Sequence, residues 1–383
     1  MSSKASNIIG WDIGGAHLKA VLLDAKGEVI DCLQLPCPLW KGLDFLQRAI
    51  LDVLYQFLAS PQNIPAEAGY SCAKANKIAA SGVCHAITMT GELVDLFENR
   101  QQGVCEIAKL ASKILGENCY FYAAPSCNKT SSFVRQQEVA SFSSHIASAN
   151  WHASASALAM HVDDALFVDI GSTTTDIIAI EGGKVVSDGL TDADRMQADS
   201  LVYTGVVRTP IMALAQKLPF GVGKNKMETN VAAEYFASMA DVYRLTGELK
   251  SDDAETADGK GKSQLESARR LARMIGHDVD EHNFNQDNEK WIQLALACKT
   301  IQMRQIKTAM LKQLKPNMMV IGAGAGSFLV QQIAVDLQHI FKNAWEPISI
   351  RAAGHANINM QHDIDVCFAA YAVASLAQKH QLC

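Results

Sequence analysis

Apolar and polar positions near the start of the chain come in short runs broken by turn residues, "NIIGWDIGG" and then "HLKAVLLDAKGEVIDCLQL". That rhythm predicts β-strands. Asp24-Ala25-Lys26-Gly27 reads as a hairpin turn, so the first strands should be antiparallel neighbours. Over residues 43–58 the period changes, and "LDFLQRAILDVLYQFL" predicts an amphipathic helix. A strand signal follows in "KIAASGVCHAITMTGELVDLF", then a helix around 103–115 and a strand at "CYFYAAP". Residues 136–160, rich in Ala and Ser, read as helix interrupted near Asn150.

The pattern then begins again. "DALFVDIGSTTTDIIAIEGGKVVSDGL" repeats the plan of "GWDIGGAHLKAVLLD": an apolar run, Asp-Ile-Gly, a small or hydroxyl cluster, and a second apolar run. Its turn, Glu181 to Lys184, stands where the first copy has Asp24 to Gly27, so the parallel extends to a third strand. The polar stretch 248–264 is expected as a solvated loop, followed by helices at about 265–275 and 288–313. "PNMMVIGAGAGSFLVQQIAVDLQ" reads as strand, glycine turn and helix, and "DIDVCFAAYAVASLAQ" as a buried helix.

Composition narrows the classes. The 383 residues, 49% hydrophobic and 19% charged, suit a globular protein of two domains. A net charge of -6 leaves no basic footprint, so nucleic acid is not an expected ligand. No apolar run reaches the length of a membrane helix, and none at the N-terminus reads as a signal peptide. The ten cysteines form no Cys-x-x-Cys pair, which argues against structural zinc. Free thiols in a cytoplasmic protein are the expectation.

A duplicated Asp-x-Gly turn has a chemical use. A carboxylate at a strand end can hold Mg²⁺, often through water. Glycines bring backbone N–H groups close to a phosphate, and the hydroxyls of Ser172, Thr173, Thr174 and Thr175 add donors. Gly322, Gly324 and Gly326 open a helix whose N-terminus favours negative charge. Each turn alone is also an ordinary packing feature; their order along a tandem α/β chain favours phosphate.

That order resembles the actin, sugar-kinase and heat-shock chaperone superfamily. The resemblance implies an α/β protein with two similar ribonuclease-H-like domains, their mixed sheets flanking a central cleft. Residues 1–160 would form the first domain and 161–355 the second, with a helix at about 363–380 packing back on the first. Asp12 to Lys19 and Asp169 to Asp176 would be the phosphate loops, gripping one phosphate chain from both sides, and Gly322 to Ser327 the adenosine-type loop.

Longer strings are more specific: "TMTGELVD", "SANWHASA", "VDIGSTTTDI", "LVYTGVVRTPI", "MADVYRLTGEL" and "SARRLARMIGHD". They resemble the hydantoinase/oxoprolinase-related family of tetrahydromethanopterin-linked one-carbon transfer pathway proteins. Its methanogen members include the synthase that joins an aminomethylfuran diphosphate to γ-glutamyltyramine in methanofuran assembly. The resemblance therefore implies a transferase that forms an ether with a tyramine- or tyrosine-type phenol and releases diphosphate. Its partners would be these small molecules, with no nucleic acid and no membrane; homo-oligomerisation stays open. Mg²⁺ is the expected cofactor, and ATP is not expected.

Under this reading Asp12 and Asp169 organise Mg²⁺ and the diphosphate. Gly14, Gly15, Gly171, Ser172, Thr173, Thr174, Gly322 and Gly324 supply contacts to it. Lys19 and Arg208 pair with phosphate oxygens or are solvated strand-end charges. Glu92 accepts the phenolic proton or serves as a helix-cap partner, with His17 and His152 as other bases. Trp151 and Tyr203 line an aromatic pocket or pack in the core. Three rival readings stay open on the same fold: a small-molecule kinase, an ATP-dependent ring-opening amidohydrolase, and a nucleotide-dependent chaperone or switch.

Overall fold

The computed structural model describes residues 7–58, 83–125, 132–221, 223, 226–249, 255–284, 286, 288–353 and 363–382. Residues 77–82 of the expected strand signal and 250–254 of the expected polar loop lie outside them.

The first expectation holds from the start of the chain: strands β1 (Ile8–Ile13), β2 (His17–Leu23) and β3 (Val29–Pro36) form an antiparallel meander. Asp24 builds the turn between β2 and β3, its Oδ1 accepting from the N–H groups of Lys26 and Glu28 at 2.8 and 2.9 Å. Strand β4 (Cys84–Met89) lies parallel to β1, β5 (Cys119–Tyr122) parallel to β4, and β6 (Phe133–Val134) closes the edge. The sheet order is β3-β2-β1-β4-β5-β6.

The second sheet repeats this plan. It comprises β7 (Ala165–Ile170), β8 (Thr175–Glu181), β9 (Lys184–Val186), β10 (Leu201–Val202), β13 (Met319–Ala323) and β14 (Phe341–Asn343), the hairpin of β11 (Lys217–Phe220) and β12 (Met227–Asn230) standing apart. Its order is β10-β8-β7-β13-β14, with β9 also on β8. In both sheets the strand before the Asp-x-Gly turn is central; the strand after it and its antiparallel partners lie on one side, and β4, β5 and β6, or β13 and β14, add on the other. That is the ribonuclease-H-like arrangement, present twice.

By contact density the chain forms two compact units. One comprises residues 1–167, 178–198 and 342–383, and the other 168–177 and 199–341. In the first, alternation along β1 sends Ile9, Trp11 and Ile13 into a core completed by the helices Leu43–Leu58 and Arg100–Leu115. The opposite face is covered by the helix Phe368–Lys379. Its backbone comes so close that a Cβ on Gly10 would meet the Ala370 carbonyl oxygen at 1.9 Å. Asp12, two residues on from Gly10, shares that face.

Two expectations are corrected. The helix expected over 136–160 is a 3-10 stretch, Gln136–Phe142, a single turn, Ser143–Ile146, and a helix, Asn150–Ala159. The break falls at Ser148, whose φ is +51°, and Asn150 begins the next helix. Not all thiols are free: Cys84 is disulfide-bonded, while Cys32, Cys37, Cys105, Cys119, Cys298 and Cys367 are free. Spacing along a sequence does not reveal which thiols a fold brings together. Among the described residues, no helix is long and apolar enough to cross a membrane.

Candidate functional site

The two Asp-x-Gly turns share one backbone design. In the first, the Gly14 N–H donates to the His17 carbonyl at 3.0 Å. The carbonyls of Gly15 and Ala16 accept from Leu39 and Cys37 at 3.0 and 2.8 Å. In the second, the Gly171 N–H donates to the Thr174 carbonyl at 2.9 Å. There the Gly171 carbonyl accepts from Val206 at 3.1 Å, and that of Ser172 from Val207 and Arg208 at 3.1 and 2.8 Å. In both turns carbonyls are tied back to a following loop. Among the described residues, the N–H groups of Gly15 and Ala16, and of Ser172, Thr173 and Thr174, have no backbone acceptor. Consecutive N–H groups in this state make a concavity suited to an anion.

Side chains differentiate the turns. Asp12 is buried, and register places it opposite Lys19 on β2 and Thr88 on β4. Lys19 Nζ lies 3.5 Å from Asp12 Oδ2, whereas Asp12 Oδ1 and the Thr88 hydroxyl are buried without a hydrogen-bond partner among the described residues. Orphaned acceptors of this kind are costly. They fit a hard cation or a ligand donor. Among the described residues no group of three or more His, Cys, Asp or Glu side chains could hold a metal. A Mg²⁺ ion that keeps much of its water shell needs only one or two carboxylates.

In the second unit, the glycine turn after β13 reaches the Asp169 turn. Gly324 has φ +81°, and a Cβ there would lie 2.3 Å from Asp169 Oδ1 and 2.4 Å from the Ile170 carbonyl oxygen. The Gly326 N–H donates to that same carbonyl at 2.9 Å. Gly322 lies within β13, against Phe341 and Val330. The loop behind the turn is itself held. Gln302, buried in the helix Glu289–Gln313, donates to Thr204 Oγ1 and the Gly205 carbonyl at 2.8 and 2.9 Å, and accepts from the Tyr243 hydroxyl at 2.5 Å. Arg208 and Tyr203 follow on this loop with exposed side chains.

Glu92 has an unusual setting. It sits in a 3-10 turn, Gly91–Leu93, just after β4, and is only 1% exposed. Its Oε1 accepts from Ser148 Oγ at 2.7 Å, and its Oε2 has no partner among the described residues. Burial pushes its carboxyl up to about 7, against the lowering effects of Ser148 and Arg100. No side-chain cap bond forms at this turn. The other two bases differ. His152 is buried, its Nδ1 2.8 Å from the Tyr122 hydroxyl, and burial pushes it down to about 4. His17 opens β2, half-buried. Trp151 is buried with the Arg195 guanidinium 4.1 Å over its ring.

Sequence reasoning missed Thr88, Ser148 and Gln302. The first two open the strings "TMTGELVD" and "SANWHASA". Gln302 is a lone amide on a helix face whose neighbours one turn away, Cys298 and Ile306, are buried. A polar residue in such a place needs a partner.

Two sheets of ribonuclease-H-like order, each with an anion-type turn, define the class of protein. The sequence model of the hydantoinase/oxoprolinase family matches residues 84–362, and the chain belongs to that family. One relative, from Methanocaldococcus jannaschii, is 30% identical over 274 residues, which are 71% of this chain and 72% of the relative. It is named (4-{4-[2-(gamma-L-glutamylamino)ethyl]phenoxymethyl}furan-2-yl)methanamine synthase. A relative of the same name from Methanococcus vannielii is 36% identical over 118 residues, 30% of this chain and 51% of its own length. Similarity at this level supports enzymatic activity. Among solved structures, a ROK family glucokinase from Streptomyces griseus matches with a TM-score of 0.43 and 13% identity, covering 97% of this chain and 99% of that one.

Proposed function

We propose that this protein is a transferase of methanofuran-type cofactor assembly. It joins an aminomethylfuran-methyl diphosphate to a tyramine- or tyrosine-type phenol. The bond from the furfuryl carbon to the diphosphate oxygen breaks, and the phenolic oxygen forms an ether to the same carbon. The phenolic proton passes to a base and diphosphate leaves with the bonding pair. The names of the relatives suggest this product class. The observation that carries the reading is the duplicated turn, with carbonyls tied back and the N–H groups of Gly15 and Ala16, and of Ser172, Thr173 and Thr174, without backbone acceptors among the described residues.

The leaving group is the part that needs holding, because charge develops on it as the bond breaks. In this reading Gly14, Gly15, Gly171, Ser172, Thr173 and Thr174 meet the diphosphate, with Lys19 and Arg208 pairing with its oxygens. Gly322 and Gly324 belong to the same proposed contact set. Mg²⁺, held by Asp12 and Asp169 partly through water, would neutralise charge on the diphosphate when bound. Glu92 is the proposed base. A phenol with a pKa near 10 needs an acceptor at neutral pH, and a carboxyl that ionises at about 7 is matched to that task.

Phosphorus NMR with mass spectrometry tests the proposal. One tube holds the purified protein, Mg²⁺, the furfuryl diphosphate and tyramine; the other holds ATP with the corresponding furan alcohol. Diphosphate release with a new ether mass in the first tube is the expected result. ADP with a phosphorylated alcohol in the second would make the protein a kinase, and silence in both would remove the substrate assignment.

A further inference from the structure

The buried face around Glu92 contains one device that the proposed reaction does not by itself require. Ser148 lies between the single turn Ser143–Ile146 and the helix Asn150–Ala159, and its backbone is left-handed, φ +51°. A non-glycine residue rarely adopts that conformation, because its Cβ crowds the backbone there. Neither Asn nor Gly, the residues that tolerate it best, stands there. The hydroxyl is put to a definite use: Oγ donates to Glu92 Oε1 at 2.7 Å, with Ser148 only 6% exposed. Glu92 Oε2 is buried and has no partner among the described residues. The carboxyl is thus held by one oxygen, while the other, equally buried, is left without a hydrogen-bond partner among the described residues.

We propose that Ser148 is a positioning residue for Glu92, fixing one carboxylate oxygen so that the other is presented to a proton donor. Two more charged groups face the carboxyl. Arg100, on the helix packed against this turn, favours its ionised form, and Asp192, bonded to Arg100 at 2.7 Å, opposes it. Ser148 donates a direct side-chain hydrogen bond to the carboxyl, and it too favours ionisation. The inference deepens the proposed function, because a held base matters only if Glu92 is the base. The hydrogen bond and its effect on ionisation can be read without any substrate.

The experiment compares wild type, Ser148→Ala and Ser148→Gly, each labelled with carboxyl-¹³C glutamate. The Glu92 signal is assigned by its loss in Glu92→Gln. Alanine removes the hydroxyl and keeps the strained backbone; glycine removes both. In both variants the Glu92 midpoint should rise by about one pH unit, the size expected for losing a hydrogen bond to a charged group. Glycine should unfold at higher denaturant than alanine, since it accepts the left-handed backbone. A Glu92 midpoint unmoved in both folded variants overturns the inference, whatever happens to stability. The pH–rate profile then tests the reading beneath it. A limb that rises with the NMR midpoint supports Glu92 as the base. A limb that stays put while the NMR midpoint moves leaves the Ser148 hydrogen bond as a hold on the carboxyl and removes Glu92, and with it the positioning role, from proton transfer.

Discussion

Replacing Glu92 by Gln should make the protein's stability less sensitive to alkaline pH. The side chain stays nearly the same size, and its carbonyl oxygen can still accept from Ser148, but it can no longer ionise. In the native protein the carboxyl ionises at about 7, and its ordinary value is 4.5. Between these values the folded protein holds a proton that the unfolded chain has released. Stability from this group is therefore fully present below about 4.5 and is lost as pH rises through about 7. At 1.36 kcal/mol per unit of difference, the loss is about 3 kcal/mol by pH 8.5.

Urea unfolding of wild type and Glu92→Gln at about pH 5 and about 8.5 measures it, with hydrogen exchange on the helix Arg100–Leu115 reporting on the unit that contains Glu92. Taking the difference between the two proteins at each pH cancels the other titrating groups. Glu92→Gln should match or fall slightly below wild type at the acid end and exceed it by about 3 kcal/mol at the alkaline end. Parallel stability curves would refute the claim that burial raises this carboxyl. They would also remove the reason for preferring Glu92 over other carboxylates as a base near neutral pH.

Three other outcomes follow from the same geometry. Asp12→Asn and Asp169→Asn should each abolish turnover in the NMR assay while leaving circular dichroism and melting nearly unchanged; full activity in both would remove these residues from the mechanism. Gly324→Ala should lose about 1–3 kcal/mol in urea and displace the Asp169 carboxylate, because the new methyl meets Asp169 Oδ1 at 2.3 Å in a backbone with φ +81°. Arg270→Met should lose roughly 3–5 kcal/mol, since Arg270 is fully buried and its Nε donates to Asp241 Oδ1 at 2.8 Å; an unchanged unfolding midpoint would show that Arg244, also bonded to Asp241, suffices.

What could be read in the sequence is what local periodicity controls. The helix expected over 43–58 is Leu43–Leu58, because its apolar stripe alone decides the period. The duplicated turn was legible because both copies kept an apolar strand, an Asp, a Gly and a second strand. The break expected near Asn150 falls at Ser148, although the Ala- and Ser-rich stretch has no glycine or proline to mark it; the stop is a serine that donates to a distant carboxylate. Glu92 itself was visible only as part of a string. Its pKa is raised by burial and to a lesser extent by Asp192, against the opposing effects of Ser148 and Arg100, positions that only the fold brings together. The Gln302–Tyr243 contact behind the second turn was hidden for the same reason.

The two turns keep one backbone bonding pattern while their side chains have diverged, and the direction of divergence is informative. The first keeps a buried carboxylate beside a lysine and has no hydroxyls in the turn itself; its orphaned polar atoms belong to Asp12 and Thr88. The second has Ser172, Thr173 and Thr174 in the turn, with the hydroxyls of Ser172 and Thr173 3.4 Å apart. Hydroxyls rotate to suit an acceptor, so a run of them can follow phosphate oxygens whose charge is changing. A buried carboxylate with one lysine partner offers a fixed charge and one free oxygen, better suited to a cation or a single donor. If both turns only gripped phosphate alike, replacing the hydroxyls of the second and the carboxylate of the first should weaken diphosphate binding alike. The divergence instead argues that Thr173→Val acts chiefly on diphosphate affinity and Asp12→Asn chiefly on Mg²⁺ affinity. Titrating each variant with diphosphate and with Mg²⁺ separately would distinguish these roles, and equal effects on both titrations would reject the division.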